Sequence, residues 1–130
     1  VYLDPEVAHC GLTGPAAEER YGSKLKKYVY DLANFDRAMI ESRARGVIEL
    51  SCLADGRIVG ADIVAPWAGD VIHEYQLAVA NRRKVGEISN TIHIYPTPSQ
   101  SVRRAANMFY AEKLFKGPLP RWAPRLFKLS

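Results

Sequence analysis

Apolar and polar positions alternate along some stretches of the chain and recur at helical spacing along others. In Leu25–Ala33, Tyr28, Tyr30 and Leu32 share one face and Lys27 and Asp31 the other. That period of two predicts a half-buried strand. Val47–Leu53 alternates the same way, with Ile48, Leu50 and Cys52 together. Asp55-Gly56 follows, the dipeptide favoured in two-residue hairpin turns, and the β-branched run Ile58–Val64 returns antiparallel. Gly60 inside that run predicts close approach of another backbone. Val1-Tyr2-Leu3 also reads as strand, ended by the turn signal Asp4-Pro5.

Helical spacing takes over elsewhere. Ala16–Gly22 predicts a short helix, with Pro15 suited to its first turn and Gly22 to its cap. Ala68, Val71, Ile72, Tyr75, Ala78 and Val79 fall on one face, so an amphipathic helix is expected from Ala68 to about Lys84. Gly86–Asn90 is a short helical turn or a loop, and Ile92–Tyr95 is extended before Pro96. Thr97 then reads as an N-cap, Pro98 as the first helical residue and Gln100 as the third residue of a capping box. That last helix runs through Val102, Ala106, Phe109 and Tyr110 to about Phe115, where Gly117-Pro118 stops it. The order β-α-β-β-β-α-(α)-α, with strands gathered in a hairpin, describes an α+β domain on an antiparallel β-sheet flanked by helices.

The chain's 130 residues suit one domain. With 48% hydrophobic residues it is too apolar for disorder, and no run approaches the ~20 residues of a membrane helix. Two cysteines, Cys10 and Cys52, make no disulfide scaffold. The net charge of +4 is unevenly placed. Residues 1–100 hold 11 basic and 13 acidic side chains, whereas residues 101–130 hold 7 basic and one acidic. The basicity therefore belongs to the tail. We divide the chain into a domain at 1–116 and a basic, Pro-interrupted tail at 117–130. Leu114, Phe115, Trp122, Leu126 and Phe127 interleave there with Lys113, Lys116, Arg121, Arg125 and Lys128. Such a stretch either contacts an anionic membrane surface or nucleic acid, or drapes over its own domain. A start at Val1 with no Met and no signal peptide suggests a piece of a longer protein, expected in the cytoplasm, with a membrane's edge as the alternative.

Self-sufficient chemistry is not visible. No G-x-G-x-x-G follows a strand and no P-loop occurs. His9 and Cys10 are neighbours, but adjacent side chains on extended backbone point to opposite faces. Cys52 sits at an apolar strand position and reads as structural. His73-Glu74 is not H-E-x-x-H, because Leu77 stands where the second histidine would be, and His73 is expected in solvent. The three histidines lack metal-ligand spacing.

Three segments carry a resemblance. Asp4–Thr13 (DPEVAHCGLT), Gly60–Ile72 (GADIVAPWAGDVI) and Thr91–Gln100 (TIHIYPTPSQ) occur in that order, and Arg37-Ala38 also fits. Together they resemble the C-terminal dimerisation domain of the FAD-dependent pyridine nucleotide–disulfide oxidoreductases, which include dihydrolipoamide dehydrogenase, glutathione reductase and mercuric reductase. The likeness covers about residues 1–107. It implies an antiparallel sheet flanked by helices that forms most of a homodimer interface. It also implies N-terminal FAD and NAD(P)H domains in the intact parent, with no cofactor bound by this piece alone, no nucleic acid and no catalysis without the parent.

The family's active site is composite. One subunit's C-terminal domain lends a histidine, oriented by a glutamate, to the flavin and disulfide of the other. The resemblance puts that pair at Tyr95 and Gln100, both substituted. His93 aligns with the family's first histidine, which is not the base. An imidazole changes charge near neutral pH and a phenol about three units higher. A tyrosine at position 95 therefore offers a hydrogen bond or a stacking surface more readily than proton exchange. Tyr95 is expected either to face the partner's active site or to pack in the interface. Gln100 is expected to close a capping box or to stand in for the glutamate. The T-I-H-x-Y-P-T pattern resembles a less characterised branch, often labelled mercuric-reductase-like.

Overall fold

The computed structural model describes residues 5–35 and 45–116. The expected strand at Val1–Leu3, the Arg37-Ala38 match and the tail from 117 lie outside the described residues. Four strands form one antiparallel sheet: β1 (Glu6–Gly11), β2 (Leu25–Asp31), β3 (Val47–Leu53) and β4 (Ile58–Ala65), in the order β1-β4-β3-β2. Helices α1 (Gly14–Tyr21), α2 (Ala68–Ala80), α3 (Val85–Ser89) and α4 (Ser99–Lys116) complete the described fold.

The first described strand is Glu6–Gly11, paired residue for residue from Glu6↔Ala65 to Gly11↔Gly60. Its alternation decides this: Ala8 and Cys10 are buried, while Val7 and His9 face out. Across the sheet the same inner face carries Tyr28, Ile48, Leu50, Ala61 and Ile63. Here α2 lies against β1 and β4, and α4 against β2 and β3. The outer face is polar. Lys27 on β2 reaches Glu18 of α1 and lies 3.9 Å from Glu49 of β3, and His9 Nδ1 stands 2.7 Å from Asp62. One dry and one wet face is the usual state of an antiparallel sheet.

The hairpin forms where the alternation placed it, with a different turn. Leu53 accepts from Gly56 N–H and donates to Arg57 C=O. The loop is therefore Ala54-Asp55-Gly56, with Gly56 at φ 93°, as in a three-residue turn closed by a bulge. Gly60 does meet another backbone: a Cβ there would run into the Leu12 carbonyl oxygen. Leu12 N–H in turn donates to Val59 C=O at 2.9 Å.

Helix α2 stops at Ala80, four residues short of the expected Lys84. Arg82 N–H donates to Val79 C=O and Arg83 N–H to Ala78 C=O. Arg82 takes a left-handed φ of 52°, the only non-glycine to do so among the described residues. This is a Schellman-type ending with arginine where glycine is favoured, at a cost of roughly 1 kcal/mol. Arg83 C=O then accepts from Ile58 N–H, and Gly56 C=O from Val85 N–H. The connection is thereby laced to the hairpin. Helix α3 resolves the open choice at Gly86–Asn90 as helical, with the Glu87 carboxylate accepting from Lys84 N–H at 2.9 Å.

Tyr75 ties α2 to α4. It is fully buried, and its hydroxyl donates to Val102 C=O at 2.7 Å. Burial pushes that phenol well above its ordinary pKa. Edge-to-face pairs of Tyr28 with Phe109 and Phe35 with Trp67 fill the space between sheet and helices.

Candidate functional site

The segment between α3 and α4 is expected to be extended and then to enter a capping box. The capping box does not form. Residues 92–94 form no strand, and Tyr95-Pro96 is a cis peptide. The Thr97 hydroxyl turns back to donate to Ile94 C=O at 2.6 Å, and no N–H of α4 donates to its oxygen among the described residues. Gln100 N–H instead donates to Thr97 C=O at 3.1 Å. The Gln100 side chain donates through Nε2 to His93 C=O at 3.4 Å, so the capping box stays open.

This loop turns its apolar side chains outward. Ile92 is 91% exposed, Ile94 76% and Tyr95 59%, and Leu77 on the neighbouring turn of α2 is 66% exposed. Leu77, Ile92 and Ile94 border an open groove of about 800 Å³ between α2 and the loop. Between them His93 turns inward, with only 5% of its side chain exposed. Its Nε2 lies 2.7 Å from Glu74 of α2, and its Nδ1 lies 2.8 Å from Thr91 C=O. The loop is thus fastened through one imidazole while its odd-numbered neighbour Tyr95 and the flanking isoleucines project.

Tyr95 and Gln100 are not brought into hydrogen-bond contact with each other among the described residues. Gln100 holds the loop backbone, and Tyr95 stands free at the surface. The histidine–carboxylate pair that the fold does make is His93–Glu74. Sequence reasoning passed over Glu74 because it weighed only the zinc-protease spacing of His73-Glu74. A partner 19 residues away in the chain gives no periodic signal. His73 is exposed, as expected.

The thiols are inert in this setting. Cys10 and Cys52 are buried, and burial pushes the former up to about 11 and the latter to about 12. No group of three metal-ligating side chains occurs among the described residues.

The sequence profile of the pyridine nucleotide-disulphide oxidoreductase dimerisation domain matches residues 1–106. The chain belongs to this family. It is 34% identical over 110 residues to a mercuric reductase of Acidithiobacillus ferrooxidans, a match covering 84% of this chain and 20% of that protein. It is 30% identical over 107 residues to dihydrolipoyl dehydrogenase 3 of Haloarcula marismortui, covering 82% and 22%. Among solved structures, LpdA from Mycobacterium tuberculosis aligns with a TM-score of 0.75 at 28% identity, covering 83% of this chain and 24% of LpdA. The HOCl-induced flavoprotein disulfide reductase RclA of Escherichia coli, in its Cu(II) complex, reaches 0.78 at 19% identity, covering 83% and 24%, and shares the fold. The chain spans about a fifth of the length of the curated relatives it matches.

Full-length members of this oxidoreductase family depend on FAD and NAD(P)H. Gly11 and Gly60 lie against the backbone at Val59 and Leu12. No helix among the described residues is long and apolar enough to cross a membrane.

Proposed function

We propose that this chain joins two subunits of a FAD- and NAD(P)H-dependent oxidoreductase, and that its 91–98 loop completes the partner subunit's redox site. The observation that carries this reading is the outward set Leu77, Ile92, Ile94 and Tyr95 on a loop anchored through His93. Large apolar side chains held in water by a fixed loop mark a contact surface. In a two-fold dimer each copy offers the same patch to the other subunit, so the contact is made twice.

This reading rests on the resemblance, which puts Tyr95 and Gln100 at the positions of the family's histidine and glutamate. In this reading Tyr95 supplies a hydroxyl that donates a hydrogen bond at the partner's site. Gln100, through His93 C=O, fixes the loop that carries it. In this reading the flavin and nicotinamide belong to other domains of the same polypeptide, so this domain alone is expected to bind neither, and we expect the parent in the cytoplasm. The alternative of a basic module for membranes or nucleic acid gains nothing from the family match; its residues from 117 lie outside the described ones, and Lys113 sits 4.7 Å from the centre of the Phe109 ring.

Sedimentation velocity of this chain tests the interface. Dimer is expected at high micromolar concentration. Ile92→Asp and Ile94→Asp together should give monomer with an unchanged circular-dichroism spectrum. A wild-type chain that stays monomeric, or an aspartate pair that dimerises like wild type, would overturn the assignment of this loop.

A further inference from the structure

We propose that a pocket between the end of α1, the β3–β4 hairpin and the end of α2 binds a phosphate-bearing small molecule through Arg20, Arg57 and Arg82. This site is separate from the dimerisation reading. The pocket holds about 430 Å³, and no aspartate or glutamate lines it. Its polar wall is the three arginines with Tyr21, and Ile58 and Val79 are among its apolar lining.

The arginines are organised rather than merely near one another. Arg57 Nη2 donates to the Tyr21 hydroxyl at 2.8 Å. The Arg57 and Arg20 guanidinium carbons lie 6.0 and 5.5 Å from the centre of the Tyr21 ring, so one aromatic ring positions both cations. Arg82 enters from the left-handed position that ends α2, where glycine would relieve the backbone. An outlier of this kind points to a use for the side chain it carries.

Charge balance argues the same way. Lys26, Lys27 and Arg83 each lie within ion-pair distance of a carboxylate. Arg20, Arg57 and Arg82 have no such partner among the described residues. Asp55, the acid nearest in sequence to Arg57, accepts from its backbone N–H at 3.0 Å and does not line the pocket. Three guanidiniums around one cavity repel each other until an anion enters. Their planar forks match phosphate oxygens in pairs. The volume suits a small molecule, and the apolar lining can cover its organic part.

Calorimetric titration of the chain with inorganic pyrophosphate at low salt tests this. We expect saturable binding at one site. Arg57→Gln and Arg82→Gly should each weaken it about tenfold or more, while Lys26→Gln leaves it unchanged. Arg82→Gly also relieves the left-handed strain, so it should melt at or above the wild-type temperature while losing ligand. That separates a binding role from a structural one. Absence of saturable heat, equal weakening by Lys26→Gln, or citrate binding as tightly as pyrophosphate would overturn the proposal.

Discussion

At the scale of single residues, burial explains most of what the side chains do. Cys10 and Cys52 face the core because they fall on the inward phase of β1 and β3. That phase was plain in the alternation of Val47–Leu53. It was missed at β1, where Asp4-Pro5 drew attention to a turn. Desolvation raises Cys10 to about 11 and Cys52 to about 12. A thiol raised in the folded state keeps its stabilising proton below the unfolded pKa and loses it as pH climbs through the folded value. Stability to urea should therefore fall as pH rises from about 9 to 11, by on the order of 2 kcal/mol for Cys10. The decline should be shallower in Cys10→Ala. At pH 8 both thiols should react with iodoacetamide more than about a hundredfold more slowly than a free cysteine. Rapid labelling of either in the native chain would contradict the burial argument. Gly60 makes a second residue-scale case. Any Cβ there strikes the Leu12 carbonyl, so Gly60→Ala should destabilise by about 1–3 kcal/mol, read as a lower melting temperature.

At the scale of elements, the sequence was legible wherever a period ran long enough. The β3–β4 hairpin and the helical face of Val71, Ile72, Tyr75 and Ala78 stand where their spacing put them. Element ends were less legible, because competing hydrogen bonds decide them. Thr97 has the right identity for an N-cap, yet Gln100 N–H donates to its carbonyl and not to its hydroxyl, which points to Ile94 C=O. Lys84 was read into α2, yet the carbonyls of Ala78 and Val79 close the helix on Arg83 and Arg82. The anchoring of the 91–98 loop is the least legible feature, since His93 and Glu74 come from different elements. Its strength can be measured. Glu74→Gln keeps a hydrogen-bonding group beside the ring and should cost about 1 kcal/mol. His93→Ala empties a nearly buried site and leaves the carboxylate without its partner, so it should cost about 2–3 kcal/mol. Hydrogen exchange should then quicken at residues 91–95 more than in β3 or β4. Equal quickening throughout would mean that the imidazole supports the core and not the loop.

At the scale of the whole molecule, two forces compete to explain how copies of this chain would meet. One is electrostatic: residues 1–100 are net acidic and residues 101–130 strongly basic, so the tail of one copy could be drawn to the body of another. The other is apolar, through Leu77, Ile92, Ile94 and Tyr95. Salt separates them. Attraction between exposed charges fades once the screening length falls from about 10 Å near 0.1 M to a few ångströms near 1 M. Burial of aliphatic side chains does not fade and is slightly strengthened by excluded salts. If the loop makes the contact, the dimer dissociation constant measured by sedimentation equilibrium should change by less than about threefold between ~0.05 and ~0.5 M sodium chloride. Over the same range pyrophosphate binding at the arginine pocket should weaken steeply, which serves as an internal control that screening is effective. A dimer that dissociates in step with the loss of pyrophosphate binding would assign the association to charge. The exposed isoleucines would then need another explanation.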